Sequence, residues 1–344
     1  MSTQNHVPSE TMERAGRPAP AQDSHVIAAP AGTPYHRLAR TERYRWWQPL
    51  VATLVAGAGW WLSLFPLGFV LGGAAALAGV ELGGPQDLLF ADPLWNDATL
   101  LLMLALMLPM VLLAARQVQR RPAGSLSSVT GRVRWRWLLV CLGVAVAAAV
   151  LLIFLAATLT LLFGAGVDGA ASNAWVGWPT FLASAVVFVL LVPFQAAAEE
   201  YVFRGWIPQV FGCYLRTPWV GGVVGALLFA LAHGLGTPWG FADLVLFGLV
   251  LSFLVIRTGG LEAAVAYHVG TNLVLMILAA TTAGGVADHR TAADGSWELL
   301  VAGAVALALY AWVVLHLSRR LHIARTAPAP VAVPASAVSG SPAC

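Results

Sequence analysis

Two adjacent carboxylates and an arginine stand at the end of a long apolar run in the middle of this chain. The run covers residues 181–198 and leads into Glu199, Glu200 and Arg204. A charge inside hydrocarbon costs about 3 kcal/mol or more, so an ionisable residue in a membrane segment indicates function. If the segment is helical, Glu200 and Arg204 lie four residues apart on one face and can pair. Glu199 has no such partner, which predicts one neutralised glutamate and one that is free to titrate.

Two histidines and an asparagine follow on later apolar segments. His233 lies four residues after Phe229, and Asn272 lies four residues after His268, so each pair shares a helix face. A carboxylate can activate water, a histidine can transfer the proton, and histidine or asparagine donors can stabilise an oxyanion. Glu199 together with these three residues therefore predicts a polar cavity in the membrane that is suited to hydrolysis.

The composition is that of a membrane protein. The chain has 344 residues, of which 59% are hydrophobic and 10% charged, and its mean hydropathy is +0.76. Soluble domains carry about 25% charged residues, so we expect a polytopic all-α protein in a lipid bilayer. The isoelectric point near 9 does not indicate nucleic acid, because the arginines lie beside apolar segments and not in one basic domain. The three scattered cysteines form no disulfide framework or metal pattern, and we expect neither a cofactor nor a metal.

Eight apolar segments are long enough to be membrane spans of about 20 residues. The first is overlong and contains Pro66, where it could tilt or break. We place the eight segments at residues 49–80, 98–116, 137–163, 179–203, 218–234, 241–257, 260–281 and 297–318.

Arginines alternate between the two sides of these segments. The loop at residues 116–136 carries six arginines, while the opposite loops are mostly acidic. Because positive loops face the cytoplasm, this predicts that both termini are cytoplasmic in a multi-pass protein of the cell membrane. We divide the chain into five parts. Residues 1–34 are predicted to be a disordered tail, residues 35–180 a first set of transmembrane helices and residues 181–282 the catalytic helices. Residues 283–325 are predicted to form a last transmembrane helix and residues 326–344 a second disordered tail.

The depths of the predicted site residues conflict if the spans are straight. Glu199 would lie near the cytoplasmic face, whereas His233 would be about 22 Å deep at 1.5 Å per residue. They can meet only if the fourth helix continues beyond Arg204. We therefore predict a fourth span that is longer than its hydropathy indicates.

The three motifs resemble a known family. Glu199-Glu200-x-x-x-Arg204-Gly205, then Phe229-x-x-x-His233, then His268-x-x-x-Asn272 occur in this order on successive apolar segments. This arrangement is similar to the CPBP family of intramembrane proteases, which includes CAAX prenyl endopeptidases and the bacterial Abi proteins of bacteriocin processing or immunity. The resemblance covers residues 181–280, less than a third of the chain.

The resemblance implies a metal-independent glutamate endopeptidase of eight helices whose cavity opens to the cytoplasm. It implies that Glu199 activates water together with His233, and that His268 and Asn272 hold the oxyanion. Glu200 and Arg204 would be supporting residues. The implied substrate is a membrane-associated protein or a leader peptide.

Three other functions stay open at this point. A metalloprotease would use the histidines and a glutamate as zinc ligands, although the sequence lacks HExxH. A proton-coupled transporter also uses buried glutamate and histidine relays. A non-catalytic immunity or scaffold protein would retain the same helices without the chemistry.

Overall fold

The fold is all-helical, as the sequence predicts. The computed structural model describes residues 26–83, 89–163, 174–286 and 291–329. Within these ranges the regular elements are helices, joined by loops that contain a few isolated bridges. The α-helices are α1 (Gln48–Ala78), α2 (Pro93–Ala105), α3 (Met107–Gln117), α4 (Trp135–Phe163), α5 (Trp178–Glu200), α6 (Ile207–Tyr214), α7 (Trp219–Ala232), α8 (Pro238–Thr258), α9 (Glu262–Ala279) and α10 (Trp297–Arg320).

Seven helical segments of the described chain are long and apolar enough to cross a membrane. The eighth predicted span is the exception: α7 has only 14 residues, about 21 Å, against a hydrocarbon core of about 30 Å. Pro218 precedes α7, and Gly234 and Gly236 adopt positive φ angles of 95° and 44° just after it. These residues end the helix early, so the described residues form a multi-pass membrane bundle with seven full-length spans and one short apolar helix.

The fourth span is longer than its hydropathy indicates, which confirms that prediction. α5, a π-helical segment at Tyr201–Trp206 and α6 form one continuous rod of 37 residues from Trp178 to Tyr214. Pro208 lies two residues after the π-helical segment, inside this continuous helix, and the helix does not end there as a proline in a helix interior often makes it do. The π-helical segment begins directly after Glu200. Such π turns inside α-helices are frequent at functional sites.

Proline affects the first two spans differently. α1 runs through Pro66 without a break, so the predicted interruption at that residue is not found. The second span divides at Leu106, between α2 and α3. The ring of Pro109 supplies no N–H for the carbonyl of residue 105, which accounts for a break at this point.

Helix α9 is the centre of the bundle and α1 is at its edge. In the most apolar window of α9 56% of the residues are buried, against 6% for α1. α9 packs against α4 and α5, α10 packs against α4 and α8, α7 packs on α8, and α1 packs mainly on α3. Gly270 allows α9 to pack closely against α4, because a Cβ at this position would lie 2.9 Å from the methyl carbon of Ala145 in α4.

The two chain ends are held together at the arginine-rich end of the bundle. Gly32 and Thr33 exchange main-chain hydrogen bonds of 2.9 Å with Ala327. Ile27, Gly32 and Thr33 of the first predicted tail and Ala327 of the second thus make main-chain hydrogen bonds within the described chain. The disorder predicted for residues 1–34 and 326–344 otherwise stays a prediction. The remainder of both predicted tails lies outside the described residues. The first and the last described segments of the chain therefore lie on the same side of the bundle.

Two side chains anchor the segment that precedes α1. Tyr35 is buried and its hydroxyl donates to the carbonyl of Leu126. Nε2 of His36 lies 3.0 Å from the carbonyl oxygen of Arg216, which makes this nitrogen the donor. Burial lowers the pKa of His36 below its usual value, and the hydrogen bond to the carbonyl only partly offsets this effect.

A buried ion pair fixes the start of α9. Arg134 donates to both carboxylate oxygens of Glu262, at 2.8 and 2.6 Å, and also to the carbonyls of Thr258 and Ala324 at 3.0 Å. The pair joins the loop before α4, the α8–α9 turn and the C-terminal segment. It sets the depth at which α9 presents His268.

Candidate active site

Four charged or titratable side chains meet in the interior of the bundle. Glu199 and Glu200 come from the last turn of α5, Arg204 from the π-helical segment and His268 from the middle of α9. Their exposed fractions are 4%, 0%, 0% and 2%. Ionisable groups this deep in a membrane bundle are tolerated only when they pair with one another, and these residues do so.

Glu200 is the hub of this cluster. Arg204 donates to its Oε1 at 2.9 Å, which confirms the predicted pair between residues four apart. Nδ1 of His268 lies 2.7 Å from the same oxygen. Because a carboxylate oxygen can only accept, Nδ1 carries the proton in this bond. Glu200 therefore fixes both the orientation and the tautomer of His268.

Aromatic rings complete the surroundings of Arg204. Its guanidinium carbon lies 4.0 Å from the centroid of the Phe229 ring and 5.3 Å from that of Phe247. Within the described residues, its Nε and one terminal nitrogen have no hydrogen-bond acceptor. The π faces stabilise the cation where oxygen acceptors are lacking.

Glu199 has a different set of contacts. The amide nitrogen of Gln195, one turn earlier on α5, donates to its Oε1 at 2.8 Å. Its Oε2 is buried, has no hydrogen bond within the described chain, and lies 3.6 Å from Nε2 of His268. That separation exceeds a hydrogen bond. At this separation one water molecule can donate a hydrogen bond of about 2.8 Å to each of the two atoms.

The imidazole of His268 therefore joins the two glutamates through its two nitrogens. Nδ1–H is held by Glu200, so the lone pair of Nε2 is directed toward the free oxygen of Glu199. Phe229 and Phe247 stand edge-to-face against the same ring, with centroids 5.8 and 5.3 Å away. The ring is thus fixed on its edge by a carboxylate and on its sides by phenyl groups.

His233 contacts Phe229, the ring that also packs against His268. Its ring centroid is 4.6 Å from that of Phe229, and its Nδ1 bonds the Phe229 carbonyl at 2.9 Å. Asn272 is half-buried one turn beyond His268 on α9. Neither residue makes an ion pair or a side-chain hydrogen bond with Glu199 in the described ranges. The structure thus brings His268 directly to Glu199, while the predicted roles of His233 and Asn272 stay predictions.

Gln195 and Phe247 belong to the site but are not identified by sequence reasoning. Gln195 lies four residues before Glu199, the spacing that also predicts the pair of Glu200 with Arg204. A neutral amide in an apolar run carries no charge signal. Phe247 could not be distinguished from the many other aromatic residues of the spans.

No group of three or more histidine, cysteine, aspartate or glutamate side chains in the described chain has the arrangement of a metal site. In the cluster, Nδ1 of His268 already forms a hydrogen bond with Glu200. The observed contacts are those of an acid–base cluster stabilised by an arginine.

The fold and the cluster define a multi-pass helical membrane protein with a buried glutamate–histidine–arginine centre. A family model described as "Type II CAAX prenyl endopeptidase Rce1-like" matches residues 177–274 of the chain. This range includes every predicted site residue from Glu199 to Asn272. The resemblance inferred from the three motifs is therefore confirmed for this segment, which matches the Rce1-like family model.

Two bacterial proteins are similar to parts of the chain. "Uncharacterized protein YyaK" of Bacillus subtilis (strain 168) is 32% identical over 130 residues, which are 35% of this chain and 44% of the relative. "Uncharacterized 24.3 kDa protein" of Escherichia coli is 39% identical over 87 residues, which are 24% of this chain and 40% of that relative. The chain thus spans less than half the length of the curated relatives it matches. No solved structure matches the chain.

Proposed function

We propose that the protein is an intramembrane endopeptidase in which Glu199 and His268 activate a water molecule. The observation that carries this proposal is the free, buried Oε2 of Glu199, which faces Nε2 of His268 at 3.6 Å. Gln195 occupies the other oxygen of Glu199, and Glu200 occupies the other nitrogen of His268. Each reactive atom is thus held by a partner on its far side, as general acid–base catalysis requires.

In the proposed reaction, Glu199 removes a proton from water while the water oxygen attacks the carbonyl carbon of the scissile peptide bond. The carbonyl oxygen becomes an oxyanion in the tetrahedral intermediate. The C–N bond then breaks, and the proton passes to the leaving nitrogen. Glu199 is restored as a carboxylate, so no cofactor or redox partner is consumed.

Glu200 and Arg204 serve the reaction through His268. Arg204 compensates the charge of Glu200 at 2.9 Å, so Glu200 remains an acceptor for Nδ1–H. We assign to Asn272 a donor for the oxyanion, and His268 becomes the second donor that the family resemblance implies once its Nε2 has taken up a proton. His233, which is half-buried and contacts Phe229, is assigned to proton transfer, as the family resemblance implies.

The substrate is proposed to be a membrane-associated protein or a leader peptide. The catalytic atoms lie within helices that are long enough to span the bilayer, so the scissile bond must be brought to that depth. We further propose that the arginine-rich end faces the cytoplasm, with both chain ends on that side. The hydrogen-bonded pairing of residues 32–33 with residue 327 supports a common side for the two ends.

The test uses the purified full-length protein in nanodiscs and measures newly formed peptide termini by mass spectrometry. The substrates are a fluorogenic library of leader and C-terminal peptides and a preparation of bacterial membrane proteins. Glu199→Gln and His268→Ala should each lose cleavage by about 100-fold or more, the usual contribution of a general acid or base. Glu298→Gln is the matched control, because it removes a buried carboxylate in α10 outside the cluster.

Each outcome selects a different function. Cleavage that survives a strong chelator and is lost in both cluster variants supports the glutamate mechanism. Cleavage that the chelator abolishes and zinc restores assigns the protein to the metalloproteases. If Glu199→Gln protein still performs the cellular task of the wild type, the scaffold function replaces the enzyme.

A further inference from the structure

A basic groove lies at the arginine-rich end of the bundle, and none of its lining residues belongs to the cluster of Glu199 and His268. It is formed between the segment that leads into α1 and the segment that follows α3, and its volume is about 540 Å³. Its lining consists of Glu42, Arg43, Arg45, Trp47, Gln48, Gln117, Val118 and Arg120. Three arginines against one glutamate make this groove attractive to anions.

Two of these arginines have no electrostatic partner in the described residues. Arg45 and Arg120 are both exposed, and neither side chain forms an ion pair or a hydrogen bond there. Arg121, the next residue, shows the contrast. It is buried and its donors are taken by the side chains of Gln119 and Gln209, among others. Arg121 stabilises the fold, whereas Arg45 and Arg120 present unused donors to the groove.

The groove lies where apolar, lipid-facing surface begins. Trp46 and Trp47, exposed by 68% and 44%, immediately precede α1. Tryptophans of this kind mark the headgroup level of a membrane. Leu50 and Leu54 follow on α1 with exposed fractions of 49% and 72%, and Leu113 on α3 is exposed by 50%. A charged groove is thus continuous with an apolar surface between two neighbouring helices.

We propose that this groove binds an anionic phospholipid, with the headgroup phosphate between Arg45 and Arg120. The acyl chains lie against the exposed leucines of α1 and α3. Arginine suits this role, because its planar donors match the oxygens of a phosphate. An inorganic phosphate ion satisfies the charges but makes no use of the apolar surface that continues from the groove. The lipid explains both features, and the site is independent of the proposed peptidase activity.

The experiment is native mass spectrometry of the full-length protein released from detergent, with phosphatidylglycerol or phosphatidylcholine added. We expect preferential adducts with phosphatidylglycerol. Arg45→Gln/Arg120→Gln should weaken this binding about 25-fold, since one juxtamembrane arginine near an anionic surface contributes about fivefold. Arg132→Gln/Arg136→Gln is the matched control, because it removes two exposed arginines at the same end but outside the groove. The control should weaken the binding less than about threefold.

A second pair of variants separates charge from shape. Trp47→Ala should weaken phosphatidylglycerol binding, and Arg45→Lys/Arg120→Lys should weaken it less than Arg45→Gln/Arg120→Gln does, because lysine keeps the charge but lacks the planar donors. The proposal is overturned if the groove variant binds phosphatidylglycerol as the control variant does, or if phosphatidylcholine binds equally well. It is also overturned if millimolar inorganic phosphate displaces the lipid, because the groove would then be a site for the free ion.

Discussion

The ion pair of Glu200 with Arg204 offers the sharpest test of how the cluster is built. Both side chains are fully buried, and the charged atoms are 2.9 Å apart. At an effective dielectric constant near 20, opposite charges about 4 Å apart attract each other by about 4 kcal/mol. Removing one partner leaves the other charge buried and uncompensated, which costs about 3–5 kcal/mol. We expect this destabilisation for Arg204→Met and for Glu200→Gln.

The double variant should be more stable than the sum of the two losses predicts. Replacing both partners of a buried pair leaves no unpaired charge, and such replacements are often close to neutral. Gln at position 200 can still accept the hydrogen bond of His268. We therefore expect Glu200→Gln/Arg204→Met to cost about 1–3 kcal/mol, which corresponds to a coupling energy of at least about 3 kcal/mol.

The assay is a double-mutant cycle on the detergent-purified protein, with unfolding followed by circular dichroism in increasing denaturant. All four proteins are compared in one detergent and one lipid content, because bound lipid shifts the transition. Additivity of the two single losses within about 0.5 kcal/mol would refute this reasoning, because independent sites behave in that way. It would mean that Glu200 and Arg204 are stabilised separately, by His268 and by the phenyl rings.

Three further predictions concern positions around the cluster. Gln195→Leu should lower peptidase kcat/KM about 10- to 100-fold, because a hydrogen bond to the charged Glu199 contributes about 1.5–3 kcal/mol. Gly225→Ala should lower the free energy of unfolding by about 1–3 kcal/mol, because its Cβ would lie 2.2 Å from a main-chain oxygen of the π-helical segment. His36 should make the protein less stable below about pH 6.5: its lowered pKa means that the unfolded chain binds more protons there. His36→Gln should remove this loss, measured as the change in Tm between pH 7.5 and 5.5.

Each of these has its own control. Gly72→Ala makes the same substitution in α1 where the new Cβ meets open space, and it should leave stability unchanged or raise it slightly. Equal effects of the two glycine variants would contradict the packing argument. Gln195→Glu tests the donor, because a second carboxylate cannot donate to Glu199 at neutral pH. A His36→Gln protein with the pH dependence of the wild type would contradict the assignment of that dependence to His36.

The sequence predicts the class of fold well because lipid imposes a strong and simple pattern. Apolar runs of the right length reveal where spans lie, and the pair of Glu200 with Arg204 follows directly from helical spacing. The sequence overestimates the number of full-length spans, because α7 is apolar enough to be a membrane span but ends after 14 residues. Hydropathy records composition and is insensitive to the positive φ angles of Gly234 and Gly236 that end this helix.

Tertiary contacts decide the features that local patterns miss. The sequence gives no sign that residues 26–34 pair with the C-terminal segment, because their order depends on partners about 300 positions away. Similarly, hydropathy indicates a fourth span ending near residue 203, and only the need to bring the site residues together predicts the extension. α5 and α6 form one rod because the π-helical segment keeps the helix continuous across Pro208.

The two glutamates are distinguished by what lies one turn away on the same helix. Gln195 precedes Glu199 by four residues and gives it a neutral donor at 2.8 Å, whereas Arg204 follows Glu200 by four residues and gives it a cation at 2.9 Å. Both carboxylates then reach the ring of His268, one at each nitrogen. A neutral donor orients the carboxylate of Glu199 without forming an ion pair with it, which is the arrangement that the proposed general base requires. Adjacent and chemically identical residues thereby acquire different partners, and the difference comes from the spacing Gln195-x-x-x-Glu199-Glu200-x-x-x-Arg204.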